Sequence, residues 1–257
     1  MENSDKTQLT VLYVGADGSW DDIRRSGFRR RNTCLLKALA VHSEVSALYV
    51  VRPVPWADKS VGCFMLHDLP GSKVRDLFLP LLPGSARSAW VRRLNDLLWR
   101  VILLRKGINA SSERTCLFAY WPDGLRTALK LAGTAPILFD ADHNIVDDVN
   151  FDATEREEIR SLLAECGRRG GVVGIAAARS MLDYFTSVGI PSFRLRNGVD
   201  PDRFPVSSPC PAELRELPRP LIGYVGTLSR WLDLEMLGEL ARRRPGWSFV
   251  VIGANLH

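Results

Sequence analysis

Short apolar runs alternate along the chain with segments whose apolar residues recur at helical spacing. Residues 9–15 predict a buried strand that ends in glycine, residues 32–41 predict a helix, and residues 44–51 predict the next strand. Such alternation is typical of βαβ units. It predicts an α/β fold, a Rossmann-like, doubly wound and mostly parallel sheet with helices on both faces.

The same alternation continues to about residue 195 and predicts six or seven parallel strands in all. The further strands are predicted at 115–119, 136–139, 172–176 and 193–195, and the further helices at 88–104, 123–132, 154–166 and 180–186. The pattern lapses between residues 53 and 83, where five prolines occur. We expect short elements or a substrate-facing flap in that stretch.

The predicted helix at 88–104 is strongly amphipathic. Its apolar side carries Trp90, Leu94, Leu97, Leu98, Val101 and Ile102. We expect this side to face the core. Arginines flank the same side, so a basic helix that lies on a membrane surface is the alternative.

A proline-rich segment separates this region from a second, shorter one. Five prolines between residues 205 and 220 exclude a central strand or a continuous helix, so we predict a linker there. Residues 221–225, 232–243 and 248–252 then predict a strand, a helix and a strand. We therefore expect a first domain at 1–204, a linker at 205–220 and an incomplete second domain at 221–257.

Composition places the chain among ordinary soluble globular proteins, with 46% hydrophobic and 25% charged residues. No apolar run approaches the roughly 18 residues that a membrane span needs, and the polar start lacks the regions of a signal peptide. We therefore expect a cytoplasmic protein. The five cysteines lack paired spacing, so we expect reduced thiols and neither a zinc site nor a disulfide framework.

The net charge of +5 favours anionic partners such as phosphorylated sugars, nucleotides or lipid headgroups. The largest basic run lies between Arg24 and Arg31, and it has two interpretations. Its arginines face a phosphorylated or lipid-linked acceptor, or they form a solvated surface. No aromatic signature of RNA binding accompanies them, so we expect no nucleic-acid partner.

Candidate binding residues follow the predicted strands, because ligands of such sheets bind beyond the carboxyl ends of the strands. Gly15 and Gly18 come after the first strand, where backbone amides can approach a phosphate or a sugar. Asp140, Asp142 and His143 follow another strand and could bind sugar hydroxyls or position an acceptor. A ligand-free glycine turn and a loop of capping aspartates are the simpler interpretations. The dinucleotide fingerprint is incomplete, so we expect no nicotinamide or other cofactor.

Four segments in order resemble bacterial glycosyltransferases of the GT-B fold. They are GSWDDIRRSGFRRRNTCLLKALA, FDADHNIVDDVNF, RNGVDPDRF and IGYVGTLSRWLDLEML. These are similar to the family's tryptophan and arginine segment, its aspartate-rich loop, its interdomain NGVD signature and the opening of its donor-binding domain. The resemblance is to the retaining family 4 (group 1) type, which includes teichuronic-acid and other cell-surface polysaccharide transferases.

The resemblance implies transfer of a sugar from a nucleotide diphosphate sugar to a polysaccharide or lipid-linked acceptor, without a metal. It implies catalytic roles for Asp142 and His143, donor binding by Gly15, Gly18, Gly226, Thr227 and Arg230, and acceptor binding by Trp20, Arg31 and Asp140. Peripheral association with the inner face of the membrane would suit such an acceptor.

The chain also departs from this family. The lysine that many members carry near Arg230 is missing, and the resemblance implies a later half of the donor-binding domain that we expect to lie beyond residue 257. We therefore expect that the chain as given does not transfer sugar by itself. A non-catalytic binding module derived from an acceptor domain is the main alternative, and a sugar-phosphate epimerase or dehydrogenase is a third.

Overall fold

The computed structural model describes residues 8–16, 18–28, 30–56, 67–68, 72–85, 87–203, 209–229 and 232–254. The chain divides into two compact units, Met1–Gly198 and Val199–His257. Each unit has its own sheet. The predicted boundaries at residues 204 and 220 stay predictions.

Strands and helices alternate through the first unit. Its strands are β1 (Leu9–Val14), β2 (Val45–Pro55), β3 (His67–Asp68), β4 (Val74–Leu81), β5 (Thr115–Tyr120), β6 (Ile137–Ala141), β7 (Val172–Ala176) and β8 (Ser192–Arg194). Its helices are α1 (Trp20–Ser26), α2 (Arg31–Val41), α3 (Ala89–Arg105), α4 (Trp121–Leu131), α5 (Ala153–Arg169) and α6 (Arg179–Ser187).

The described strands of this unit form one sheet in the order β3-β4-β2-β1-β5-β6-β7-β8. The short β3 is antiparallel to β4, and all the other neighbours are parallel. The strand order reverses beside β1, as it does in doubly wound sheets. The predicted Rossmann-like α/β fold is confirmed.

Side chains that alternate along the central strands build a core on each face of the sheet. From β1, Leu12 and Val14 join one core with residues of α3, α4, α5 and α6. Val11 and Tyr13 join the other core with residues of α1 and α2. This follows from the two-residue period of a strand, which sends successive side chains to opposite faces. Helices cover both faces, which explains why these strands are apolar throughout.

Strand β4 lies inside the stretch for which the sequence predicted short elements or a flap. It pairs with β2 over eight residues, from Val74 to Leu81. The prolines are tolerated because Pro53 and Pro55 lie beyond Val51, the last residue of β2 that pairs with β1. A proline lacks the N–H that pairing on both sides of a strand requires. Beyond Val51, the described part of β2 pairs only with β4. The sequence pattern therefore did not predict β4, although it is a continuous strand.

The orientation predicted for α3 is wrong for four of the six residues, Trp90, Leu94, Leu97 and Val101, whereas Ile102 packs against the core as predicted. The helix buries Asn95, Trp99 and Leu103, whereas Trp90 and Leu97 of the predicted core side are exposed. Two polar bonds hold it in this orientation. The Trp99 indole Nε1 donates to the Pro80 carbonyl at 2.7 Å, and the Leu82 amide donates to Asn95 Oδ1 at 3.0 Å.

The second unit contains the predicted strand, helix and strand. Parallel strands β9 (Leu221–Val225) and β10 (Ser248–Ile252) are joined through α8 (Leu234–Arg243), and a short helix, α7 (Ala212–Arg215), precedes them. Asp233 caps α8 by accepting a hydrogen bond from the Met236 amide at 2.8 Å. No helix in the described parts of either unit is long and apolar enough to cross a membrane.

Candidate active site

The polar residues predicted at the end of β6 lie together with residues from three other segments of the first unit. Asp140 is fully buried and bonds to Arg31, the first residue of α2. The guanidinium Nε and Nη2 donate to the two carboxylate oxygens over 2.8–3.1 Å. Burial raises the pKa of the Asp140 carboxyl, and the hydrogen bonds and charge of Arg31 oppose that rise.

Arg31 also reaches the last segment of the first unit. Its Nη1 donates to Asn197 Oδ1 at 3.1 Å, so one guanidinium joins the start of α2, the end of β6 and the NGVD segment. Only 9% of the Arg31 side chain is exposed, and its charge is balanced by Asp140. The bidentate geometry suits a positioning role. Acceptor binding by Arg31 and Asp140 stays a prediction.

Other arginines of the predicted basic run are also matched with acids. Arg24 pairs with Asp21 at 3.3 Å, and Arg25 pairs with Asp22 at 2.5 Å. These i,i+3 pairs belong to α1 and are exposed, so each contributes little to stability. They do reduce the positive field that the sequence alone indicated for this segment. Arg29 lies outside the described residues.

His143 lies between two carboxylates. Its Nδ1 is 2.6 Å from Asp142 Oδ1, and its Nε2 is 2.8 Å from Asp148 Oδ2. The Tyr120 hydroxyl donates to the second oxygen of Asp142 at 2.8 Å. Ionised carboxylates only accept hydrogen bonds, so both ring nitrogens must donate and the imidazole is protonated.

The pKa values of this trio agree with that assignment. Hydrogen bonding to Asp142 is the largest effect on His143 and raises its pKa; burial opposes the rise, and Asp148 adds to it. Burial disfavours ionisation of Asp142, yet hydrogen bonds from His143 and Tyr120 hold the pKa of its carboxyl below the ordinary value. Burial also disfavours ionisation of Asp148, and bonds from the Asn150 amide and His143 lower its pKa overall. His143 is therefore an imidazolium whose two N–H groups are both hydrogen-bonded to carboxylates.

Trp121 supplies the aromatic part of the site and has an unusual backbone. Its φ is +65°, a left-handed conformation that is rare and costly for a bulky residue. The ring makes edge contacts with His143 at 5.3 Å and with Phe151 at 5.7 Å between centroids. Backbone strain of this kind recurs at ligand sites, which makes Trp121 a candidate that the sequence analysis missed.

An open cleft of about 410 Å³ lies beside Trp121. Its described lining combines aromatic, acidic and backbone groups from the end of β1 and the first turns of α4 and α5. It consists of Gly15, Trp121, Pro122, Asp123, Gly124, Arg126, Phe151, Glu155, Glu158 and Ile159. Apolar walls with a few polar groups are typical of small-molecule sites.

Gly15 lines the cleft, and steric crowding explains why a glycine occupies this position. Its φ is +96°, and a Cβ there would lie 2.1 Å from the Tyr120 carbonyl oxygen. A Cβ on Gly124 would lie 2.8 Å from the Val14 carbonyl oxygen. The end of β1 and the start of α4 therefore touch through backbone. Donor binding by Gly15 stays a prediction, and this contact accounts for the glycine without a ligand.

Gly18 and Trp20 occupy the loop after β1 and the start of α1. Gly18 faces the Asp22 side chain, which also completes a capping box with Ser19. Trp20 is buried, contacts the Phe28 ring at 5.5 Å between centroids, and donates its amide to Asp76 Oδ1 at 2.8 Å. The ring therefore belongs to the core. The predicted roles of Gly18 and Trp20 in ligand binding stay predictions.

The predicted donor residues of the second unit follow β9. The Gly226 amide donates to the Ile252 carbonyl at 2.9 Å, so it is already engaged within the unit's own sheet. The Thr227 carbonyl accepts from the Tyr224 hydroxyl at 2.9 Å. Arg230 lies outside the described residues. Donor binding by these three residues stays a prediction.

The sequence analysis predicted roles for the acids and the histidine, and it did not single out the aromatic residues that the structure places around them. Tyr120 and Trp121 end one strand and begin the next helix, and Phe151 precedes α5. A signal was present, since Trp121 and Pro122 directly follow a strand at the edge where ligands bind. Among the described residues, no group of three or more histidine, cysteine, aspartate or glutamate side chains is arranged to hold a metal ion.

Comparison with known proteins bears on the fold. Neither a protein-family model nor a curated protein matches the chain. A solved structure of trehalose-6-phosphate from Escherichia coli, bound with UDP-2-fluoro glucose, is similar with a TM-score of 0.57 and 12% identity. The match covers 96% of this chain and 65% of that one, so this chain spans less than two thirds of its length.

A second solved structure is more distant. UDP-N-acetylglucosamine 2-epimerase from Rickettsia bellii has a TM-score of 0.45 and 14% identity, over 95% of this chain and 62% of that one. The conclusion about the fold therefore depends on the Escherichia coli structure. At 12% identity it shows the fold, a Rossmann-like arrangement of the GT-B type.

Proposed function

We propose that the chain carries the acceptor-type domain and the beginning of the donor-binding domain of a GT-B glycosyltransferase. The parent reaction moves a sugar from a nucleotide diphosphate sugar to an acceptor hydroxyl. We place the acceptor among polysaccharide or lipid-linked glycans of the cell surface. The similar Escherichia coli structure holds a UDP-sugar, which supports a nucleotide-sugar donor.

The observation that carries this proposal is the position of Trp121. Its backbone is strained, its ring contacts the His143 imidazolium, and it lines the open cleft. Trp121 and Phe151 in the lining offer apolar surface for the C–H groups of a sugar ring. Carboxylates of Glu155 and Glu158 on the same lining can accept hydrogen bonds from sugar hydroxyls. A cleft with both kinds of group suits a carbohydrate better than a purely apolar or a phosphorylated ligand.

The charges on the cleft indicate which acceptor fits. Its described lining carries three carboxylates, Asp123, Glu155 and Glu158, and one arginine, Arg126. Arg126 is already paired with Glu158 at 3.3 Å. The excess of negative charge disfavours a phosphate at this position. We therefore propose that the sugar bound in this cleft is uncharged, and that any phosphate of a lipid-linked acceptor lies outside it.

Asp142 and His143 are the proposed catalytic pair. Neither nitrogen of His143 has a lone pair to offer, so the residue does not act as a general base in this state. Both ring N–H groups are already donated, and two carboxylates with one imidazolium carry a net charge of −1, so the trio suits acceptance of a hydrogen bond from the acceptor hydroxyl. Asp142 would orient the imidazolium and keep it protonated. In this scheme the acceptor oxygen bonds to the anomeric carbon as the bond to the diphosphate breaks, and the proton of the acceptor hydroxyl passes to the departing diphosphate oxygen.

Ligand-detected NMR tests the proposal on the chain as it is. Saturation-transfer spectra would be recorded with uncharged hexoses, their phosphates and a panel of nucleotide sugars. We expect signals from an uncharged sugar that fall at least about fivefold in Trp121→Ala and stay unchanged in Trp90→Ala, because Trp90 is an exposed tryptophan away from the cleft lining. Equal signals in both variants, or binding of no sugar by the parent chain, would contradict the proposal.

A further inference from the structure

The outward side of α3 is apolar along its whole length. Trp90, Leu94, Leu97, Val101 and Leu104 follow one another at steps of four, three, four and three residues. Their exposed fractions are 71%, 41%, 59%, 38% and 67%. This spacing places all five on one side of the helix. Large apolar side chains gathered in this way on a surface mark an interaction site.

The helix is anchored so that this side faces away from the sheet. Its opposite side buries Asn95, Trp99 and Leu103 and makes the two hydrogen bonds to Pro80 and Leu82 described above. Turning the outward residues inward would break both bonds and expose Trp99. The apolar stripe is therefore a fixed feature of the surface among the residues that the structure describes.

Positive charge borders the stripe. Residues 87–106 contain six basic side chains and one acidic one, Asp96, a net charge of +5 that equals that of the entire chain. Asp96 is paired with Lys130 at 3.6 Å. On the helical wheel, Arg93 and Arg100 follow one edge of the stripe and Arg105 follows the other. All three are exposed.

This charge arrangement distinguishes two molecules that could cover the stripe, a second copy of the chain and a lipid surface. A second copy of the chain, paired through α3, would bring arginine edges against arginine edges in either a parallel or an antiparallel pairing. Like charges there oppose association. An anionic lipid surface instead meets the arginines with phosphate groups while its acyl region takes up the apolar stripe.

We propose that α3 is a membrane-docking helix, which lies in the plane of an anionic lipid surface with its apolar stripe inserted. Trp90 is placed at one end of the stripe, where an amphipathic ring suits the headgroup level. The site does not involve the cleft residues, so it is independent of the proposed sugar transfer. Binding combines the buried apolar area with attraction to anionic headgroups, so it depends on salt and on lipid charge.

Co-sedimentation of the chain with lipid vesicles tests the proposal. One vesicle set is pure phosphatidylcholine, and the other contains phosphatidylglycerol as well. We expect binding to the anionic vesicles that is at least about tenfold tighter than to the neutral ones and that weakens as salt rises from about 50 mM to about 500 mM. The double variant Leu97→Glu, Val101→Glu should bind the anionic vesicles at least about tenfold more weakly.

Val41→Glu, Val149→Glu is the matched control, since both residues are exposed and lie outside α3. It adds the same two charges and should bind the anionic vesicles within about twofold of the parent chain. All these substitutions are at exposed positions, and circular dichroism would check that the variants stay folded. Equal loss in the control, or equal binding to neutral and anionic vesicles, would overturn the proposal.

Light scattering after size exclusion, without lipid, tests whether a second copy of the chain occupies the stripe instead. We expect the same mass for the parent chain and the α3 variant. A dimer of the parent chain that the α3 substitutions abolish, together with no vesicle binding, would assign the stripe to a second copy and overturn membrane docking.

Discussion

The buried pair of Arg31 and Asp140 allows the sharpest test of how the site is built. Replacing Arg31 by methionine keeps much of its length but leaves the fully buried Asp140 carboxylate without its partner. Removing one member of a buried pair costs about 3–5 kcal/mol, whereas an exposed pair contributes about 0–1 kcal/mol. With 9% and 0% of the two side chains exposed, we expect the buried value.

The expected loss is large enough to measure in several ways. A change of about 3–5 kcal/mol corresponds to a drop of roughly 6–20 °C in Tm for a domain of this size. Urea unfolding followed by tryptophan fluorescence would give the free energy directly. The double variant Arg31→Met, Asp140→Leu should recover most of the loss, because it leaves no unpaired charge in the core.

The pH dependence of the single variant provides a second readout. The pKa of Asp140 is already raised by burial, and loss of Arg31 should raise it further. A carboxyl with a raised pKa in the folded state favours folding at low pH and loses that contribution as pH rises through the folded value. Arg31→Met should therefore be less destabilised at pH 5 than at pH 8. A loss below about 1 kcal/mol with no pH dependence would refute the buried-pair reasoning.

Two further predictions concern the neighbouring residues. Gly15→Ala should lower the free energy of unfolding by more than the backbone strain alone, which is about 1–3 kcal/mol at such a φ. The reason is that the strain at φ +96° adds to a clash with the Tyr120 carbonyl oxygen. Gly27→Ala, at φ +80° with no described heavy atom within 4 Å of its Cβ, is the control and should cost about 1–2 kcal/mol. Equal losses in the two variants would exclude the clash. Because the pKa of His143 is raised, its contribution to stability should be complete below about pH 6.5 and fall as pH rises through the folded value. Asp148→Asn should flatten that dependence in urea titrations across pH, and an unchanged slope would show that His143 is not held as proposed.

Some parts of the site were within reach of sequence reasoning. Asp140, Asp142 and His143 follow a short apolar run, and the rule that ligands bind beyond strand ends pointed to them. What the sequence could not show is their state. Asp140 pairs with Arg31 across 109 positions, and His143 is protonated only because Asp142 and Asp148 both reach it.

The missed features have specific physical causes. Strand β4 was hidden because prolines within it and β2 usually exclude a central strand, yet the prolines of β2 lie beyond Val51, where the described pairing with β1 has ended. The outward face of α3 was misassigned because the helix has apolar residues on two sides. Core packing of Trp99 and Leu103, together with the hydrogen bonds of Trp99 and Asn95, fixes which side is buried.

The sequence by itself determined the α/β class, the parallel sheet and most helices and strands. These depend on local periodicity, which the order of residues encodes directly. The tertiary structure decided which side of α3 is buried, the imidazolium of His143, the strained backbone of Trp121 and the cleft beside it. The buried side of α3 and the cleft require groups distant in sequence to meet, whereas the state of His143 depends on how the loop after β6 folds around it. Burial and charge act only once these contacts form.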